Sequence, residues 1–196
     1  IGVSSAASDV YKRQAAAALE GHVDALVTAP LNKAALAAAG VDVPGHTELL
    51  AACCDVPEPA MMLYLEREAP GENTDAGGWG IVHATLHLPL RNIFSRITSD
   101  RIVRCAKFAD TPIRKLRRAA EQKPPKIGVC ALNPHAGEEG LFGDEEKSIL
   151  EPAIAQAAKD GLNICGPFPA DTLIARADCG EFDVLIAMYH DQGPAS

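Results

Sequence analysis

The chain has 196 residues, a formal net charge of −8 and an ordinary apolar content. The negative balance excludes general nucleic-acid binding, which needs a basic face, although a local basic pocket for a small anion can coexist with it. No apolar run approaches membrane-spanning length and no secretory signal pattern opens the sequence, so we expect a cytoplasmic protein with no membrane contact and one substantial core or two small domains.

In chain order, residues 1–13 show little periodicity and resemble translated adaptor sequence; we set them aside from the fold and expect the native start to be missing. An Ala-rich helix ends over residues 14–20, with Gly21 as its C′ residue. Residues 24–29 (DALVTA) read as a short strand stopped by Pro30. Asn32 caps a predicted helix over 33–39. Thr47 is a candidate N-cap for a helix through Leu49, Leu50 and Ala52. Residues 61–65 read as a strand, 70–78 as a hairpin or exposed loop, and 79–86 as a returning strand. A helical turn follows at 91–97. Asp100 is expected to cap a helix reaching Ala120, whose many basic residues suit a solvated surface. Strands are predicted at 127–132, 163–165 and 183–188, with a helix over 145–160 that Gly161 stops. Glu145 and Glu146 fall in its first turn, where the helix dipole favours acids. Strands alternating with helices mark an α/β architecture. The six cysteines contain no C-x-x-C pair, and we read them as reduced small hydrophobes rather than disulfides or thiolate ligands.

Three of the apolar runs share a layout. Residues 81–86 end at His87, residues 127–132 break at Asn133-Pro134 and deliver His135, and residues 184–188 end in Tyr189-His190-Asp191-Gln192-Gly193. Ligands of open α/β sheets bind beyond the carboxyl ends of the strands, so three imidazoles gathered there would make a divalent-metal site with open positions. His22 and His83 lack this context. Gly45-His46-Thr47-Glu48 sets an imidazole and a hydroxyl at a predicted helix start, which suits either a phosphate or carboxylate site or a plain Thr cap. Lys33 is either a source of positive charge for an anionic substrate or a surface lysine. Asp171 and Asp191 lie in Gly/Pro-bounded loops, where they either form turns, orient ligand histidines or move a proton. No G-x-G-x-x-G, Walker loop or G-x-S-x-G is present.

The segments ALVTAPLNK, GHTE, LHLPLR, LNPHAGEEGLFGDEE, GPFPADTL and AMYHDQG occur in this order. Together they resemble the 4-hydroxythreonine-4-phosphate dehydrogenase family of vitamin B6 biosynthesis, over roughly residues 15–193. The resemblance implies the α/β/α fold of the isocitrate/isopropylmalate dehydrogenase group, present in part. It implies NAD or NADP bound without the usual Gly-rich fingerprint, and a homodimer with a shared active site. It places the family's metal ligands (for zinc, alternatively magnesium or cobalt) on His87, His135 and His190. Its substrate-binding His-Thr pair falls on His46 and Thr47, and its motif acids on Asp171 and Asp191. The implied reaction is oxidation of 4-phosphooxy-L-threonine and decarboxylation of the product. D-threonate or D-erythronate 4-phosphate is the alternative substrate, and an inactive metal-binding fragment the alternative of another class. Three departures stand out: Leu86 replaces a usual Thr, Asn32 replaces a frequent His, and the family's substrate-binding lysine beyond Gly193 has no counterpart here. From these ends we expect a chain shortened on both sides.

Overall fold

Alternation with period two decides the centre of the fold. In the strand Val184–Ala187, Val184 and Ile186 belong to one buried cluster, while Leu185 and Ala187 belong to another. Such a strand is covered on both faces, and both sides of the sheet carry helices. The computed structural model describes residues 2–29, 46–56, 59–66, 77–116 and 123–193, the side chains of residues 2–9 and 46 excepted. The chain forms two compact units, residues 1–59 and residues 60–196.

In the first unit, α1 (Gly2–Leu19) packs against α2 (His46–Cys53). Residues 2–13, set aside above, lie within α1. Gly21, with φ at +76°, follows the helix as expected. The strand expected over 24–29 does not form. A strand needs a neighbour to take its backbone hydrogen bonds, and no described strand pairs with this segment, whose Val27 is 99% exposed. The helix expected over 33–39, its Asn32 cap and Lys33 lie outside the described residues. α2 opens at His46, one residue ahead of the expected Thr47 cap.

The second unit is a five-stranded mixed sheet in the order β1-β2-β5-β3-β4, with strands Met62–Glu66, Gly78–His83, Ile127–Cys130, Ile164–Phe168 and Val184–Ala187 numbered along the chain. β1 and β2 are antiparallel; β2, β5, β3 and β4 run parallel. The central register sets Ile81 and Gly128 opposite Leu185, and Val82 and Val129 opposite Ile186. One face holds Val82, Val129 and Ile186 against α3 (Ser99–Leu116) and α4 (Glu151–Lys159). The other holds Ile81, Cys130 and Leu185 against Leu173 and Ala177 of α5 (Ala170–Asp178). The second unit is therefore a three-layer α/β/α arrangement.

α3 buries Ile102, Cys105, Ala106, Ala109 and Ile113, a helical stripe at three- and four-residue spacing. Its cap is Thr98, whose hydroxyl accepts the Arg101 N–H at 3.2 Å; Asp100, expected as the cap, lies in the first turn and pairs with Arg104. Pro112 sits inside the helix without ending it, because Ala109 and Ile113 anchor the turn in the core. The basic surface expected here is largely ion-paired: Lys107 reaches Asp160 at 2.7 Å and Arg114 pairs with Asp110. α5 went unpredicted, because the Gly166-Pro167-Phe168-Pro169 run reads as turn and hides the helix start that follows. All six cysteines are free thiols, and burial pushes the Cys130 thiol up to about 12.

In the last turn of α5, Arg176 donates through Nε and Nη2 to the two oxygens of Glu181, both at 2.7 Å, and Lys126 approaches Glu181 at 3.3 Å. The Arg176 hydrogen bonds chiefly hold the Glu181 carboxyl down at about 2, from 4.5. A carboxyl lowered by folding stabilises the native state above its ordinary value and loses that contribution on acidification. Glu181→Gln is thus expected to melt below the parent at neutral pH. The gap narrows as pH falls from 4.5 towards 2, which thermal melts across that range will check.

Candidate active site

β2, β5 and β3 are neighbours and parallel, so their carboxyl ends share one edge of the sheet. Beyond β2 the chain stays beside the end of β5: Ala84 N–H donates to the Ala187 carbonyl at 2.7 Å, and the Thr85 hydroxyl to the Met188 carbonyl at 2.7 Å. This carries His87, exposed, past the strand end by four residues.

Beyond β5, His190 opens a 3₁₀ turn over His190–Gln192. Gln192 fixes that turn from inside. Its side-chain carbonyl accepts Met188 N–H at 2.7 Å and its amide donates to the Ala131 carbonyl at 2.6 Å, tying the end of β5 to the end of β3. The rings of His87 and His190 come to 5.6 Å between centroids. His190 Nδ1 stands 2.9 Å from Asp191 Oδ1; in the tautomer where Nδ1 donates, Nε2 keeps its lone pair for a cation. The Asp191 carboxylate thus lies within hydrogen-bond reach of the His190 ring.

His83, passed over in the sequence, closes β2 with 1% exposure, its ring centroid 6.2 Å from that of His190. Burial, and next the neighbouring His190, hold its imidazole below the ordinary histidine value, against the main-chain carbonyl of His190, which favours the charged form. A Cβ on Gly193 would lie 2.8 Å from His83 Nε2, so the close approach of ring and turn requires glycine there.

Beyond β3, Pro134–Gly140 forms a turn in which His135, Ala136, Gly137, Glu138 and Glu139 all have positive φ, between 42° and 78°. For the four non-glycine residues such left-handed geometry costs about 1–2 kcal/mol each. His135 is exposed here, its ring 6.3 Å from that of Phe142.

Two cavities flank the shared turn. One of about 490 Å³ is lined by Asn133, His135, Asp171, Tyr189, Asp191 and Gln192. The other, about 240 Å³, is lined by His87, His190, Tyr189 and Asp191, with Leu86 on its wall. Asp171 stands in the first turn of α5 and accepts the Thr172 N–H at 2.8 Å. The larger cavity lies where the strand order reverses, with β4 reached from β3 on one side and β5 lying on the other, the usual crevice of open α/β sheets. Tyr189 lines both cavities; nothing but its place beside His190 marked it in the sequence.

The structure therefore brings His87 and His190 together and sets His135, Asp171 and Asp191 around one cavity. Among the described residues no group of three His, Cys, Asp or Glu side chains closes on a single point. The donor chemistry still suits a divalent cation: exposed imidazoles, one of them oriented by a carboxylate. Thr47 is exposed in the first unit, in the first turn of α2 beside His46.

The family model for pyridoxal phosphate biosynthetic protein PdxA matches residues 3–196. The chain belongs to this family. Among its relatives, D-threonate 4-phosphate dehydrogenase of Salmonella typhimurium is 43% identical over 182 residues, covering 93% of this chain and 51% of that protein. The crystal structure of 4-hydroxythreonine-4-phosphate dehydrogenase from Klebsiella pneumoniae matches with a TM-score of 0.84 at 40% identity, covering 97% of this chain and 53% of that one. The Burkholderia phymatum enzyme of the same name gives 0.80 at 40% identity, covering 97% and 54%. The chain spans about half the length of the curated relatives it matches. The PdxA resemblance read from the six motifs is borne out, and so is the fold expected from it.

Gln192→Leu removes both side-chain hydrogen bonds of Gln192, to Met188 N–H and the Ala131 carbonyl, while keeping the volume. It is expected to cost about 1–3 kcal/mol for each backbone group left unpaired, measurable by denaturant unfolding.

Proposed function

We propose that this chain carries the catalytic edge of an NAD(P)-dependent dehydrogenase acting on a phosphorylated hydroxy acid. The observation that supports it most is the parallel β2-β5-β3 edge, from which His87 and His190 meet at 5.6 Å beside a cavity lined by His135, Asp171 and Asp191. Membership of the PdxA family and the dehydrogenase names of its relatives point the same way.

His87, His135 and His190 are the residues that would hold a divalent cation, zinc or alternatively magnesium or cobalt. Bound there, such an ion supplies acidification of an alcohol and stabilisation of negative charge developing on oxygen. The reading includes a homodimer with a shared active site, which rests on the family resemblance. The nicotinamide, NAD or NADP, accepts the hydride. The chain's own work is then proton transfer and placement. A carboxylate, Asp171 or Asp191 acting directly or through water, takes the C3 hydroxyl proton as the C3 hydride leaves, and C3 becomes a ketone. The resulting β-keto acid loses carbon dioxide as the C1–C2 bond breaks, its electron pair passing into the C3 carbonyl as an enolate, and C2 then takes up a proton from water. His46, Thr47 and Lys33 bind the substrate's anionic end. A catalytic oxidation of this kind belongs in the cytoplasm, where NAD(P) is available.

Two substrates fit the class. One is 4-phosphooxy-L-threonine, which gives 2-amino-3-oxo-4-phosphooxybutanoate and then 3-amino-2-oxopropyl phosphate, the entry to pyridoxal 5′-phosphate synthesis. The other is D-threonate or D-erythronate 4-phosphate, favoured by the name of the Salmonella typhimurium relative. They differ at C2, amino against hydroxyl.

Following NADH formation by the intact protein with each phosphate, zinc present, is expected to show turnover of one of them well above the other. No turnover of either, with NAD or with NADP, would overturn the reading. His135→Ala is expected to lower both bound metal and turnover at least about tenfold. Unchanged metal content and rate would remove His135 from the site.

A further inference from the structure

Glu146 was read from the sequence as a helix-dipole acid. Its side chain does something else. The residue is 3% exposed and opens the π turn Glu146–Leu150 ahead of α4. Oε1 accepts the backbone N–H groups of Leu132 at 2.9 Å and Asn133 at 2.7 Å, and Oε2 accepts from the Asn133 side-chain amide at 3.0 Å. These are the residues that lead into Pro134 and His135. The carboxylate also sits against the far part of the loop: a Cβ on Gly137, whose φ is +78°, would lie 2.8 Å from Oε2. The next residue along, Lys147, donates to the Glu139 carbonyl at 3.0 Å.

A buried carboxylate is costly unless its oxygens are taken up by donors, and here N–H groups of the loop take them up. The loop in turn holds a run of left-handed residues that its local sequence disfavours, so its shape must be imposed from outside. Glu146 is not among the residues lining the adjoining cavity. It is placed to act on the backbone that carries His135 rather than on a ligand.

We propose that Glu146 is a positioning residue that fixes where His135 is presented, through the amides of Leu132 and Asn133. This rests on the reading of His135 as a metal ligand, and it concerns a residue to which that reading gives no part. The carboxylate acts as an acceptor; its charge is secondary. Glutamine retains one oxygen for the two backbone amides and is expected to substitute, whereas alanine provides none and aspartate is one methylene too short.

The test is the zinc affinity of the intact protein, read by competition with a chromophoric chelator, for the parent, His135→Ala, Glu146→Gln, Glu146→Asp and Glu146→Ala. Glu146→Ala is expected to bind zinc about 10–100-fold more weakly, the range for residues that orient a metal ligand, while Glu146→Gln stays near the parent. In the metal-free protein the Leu132 and Asn133 amides are expected to exchange hydrogen faster in Glu146→Ala and not in Glu146→Gln. If His135→Ala loses zinc but Glu146→Ala keeps the parent affinity and only melts earlier, Glu146 is structural and the proposal is overturned. If His135→Ala itself keeps the parent affinity, the metal reading fails and takes the positioning role with it. Should Glu146→Ala not fold, the comparison of Glu146→Asp with Glu146→Gln decides: weaker binding in the aspartate variant alone supports the proposal, and equal affinities overturn it.

Discussion

The site depends on one strand pairing: β5 lies between β2 and β3 and runs parallel to both. Parallel neighbours point their carboxyl ends the same way, so segments far apart in the chain leave the sheet along one edge. An antiparallel β5 would send the His190 turn to the opposite edge from His87 and His135. The pairing is protected by burial on both faces. Val184, Leu185, Ile186 and Ala187 are fully covered by two separate apolar clusters, so the strand has no solvent-facing side on which it could be exchanged or slipped.

Beyond the strand ends the backbone loses its ladder, and buried polar side chains replace it. Gln192 takes up Met188 N–H and the Ala131 carbonyl, the Thr85 hydroxyl takes up the Met188 carbonyl, and Glu146 takes up the amides of Leu132 and Asn133. Gln192 and Glu146 satisfy backbone groups near the strand ends, while the Thr85 hydroxyl adds a second donor to a carbonyl that already accepts the Thr85 N–H. Each also fixes a segment that carries an exposed imidazole. The division of labour is consistent: histidines and acids face the cavities, and neutral or acceptor groups behind them hold the main chain still.

How much of this was legible in the sequence follows from the range of each interaction. The strand-like runs at 61–65, 79–86, 127–132 and 183–188 carry their signal in their own residues, and all appear, though β2 stops at His83, before the predicted end. The layout of histidine after strand was legible for the same reason. The failures involve partners distant in sequence. Residues 24–29 have a strand's composition and, among the described residues, no strand to pair with. Glu146 looked like a first-turn acid because its partners lie thirteen and fourteen positions earlier. His83 looked like an ordinary strand residue because its neighbour, His190, arrives from more than a hundred positions later.

The left-handed turn at 135–139 limits how this part of the chain can drift. Its residues occupy the mirror image of the usual helical well, so proline, with φ fixed negative, is barred from every one of the five places. Branched side chains are disfavoured there, and asparagine or glycine is the natural replacement. Variation among homologous proteins should therefore be narrower along this loop in stereochemistry than in polarity, the reverse of what holds for most surface turns.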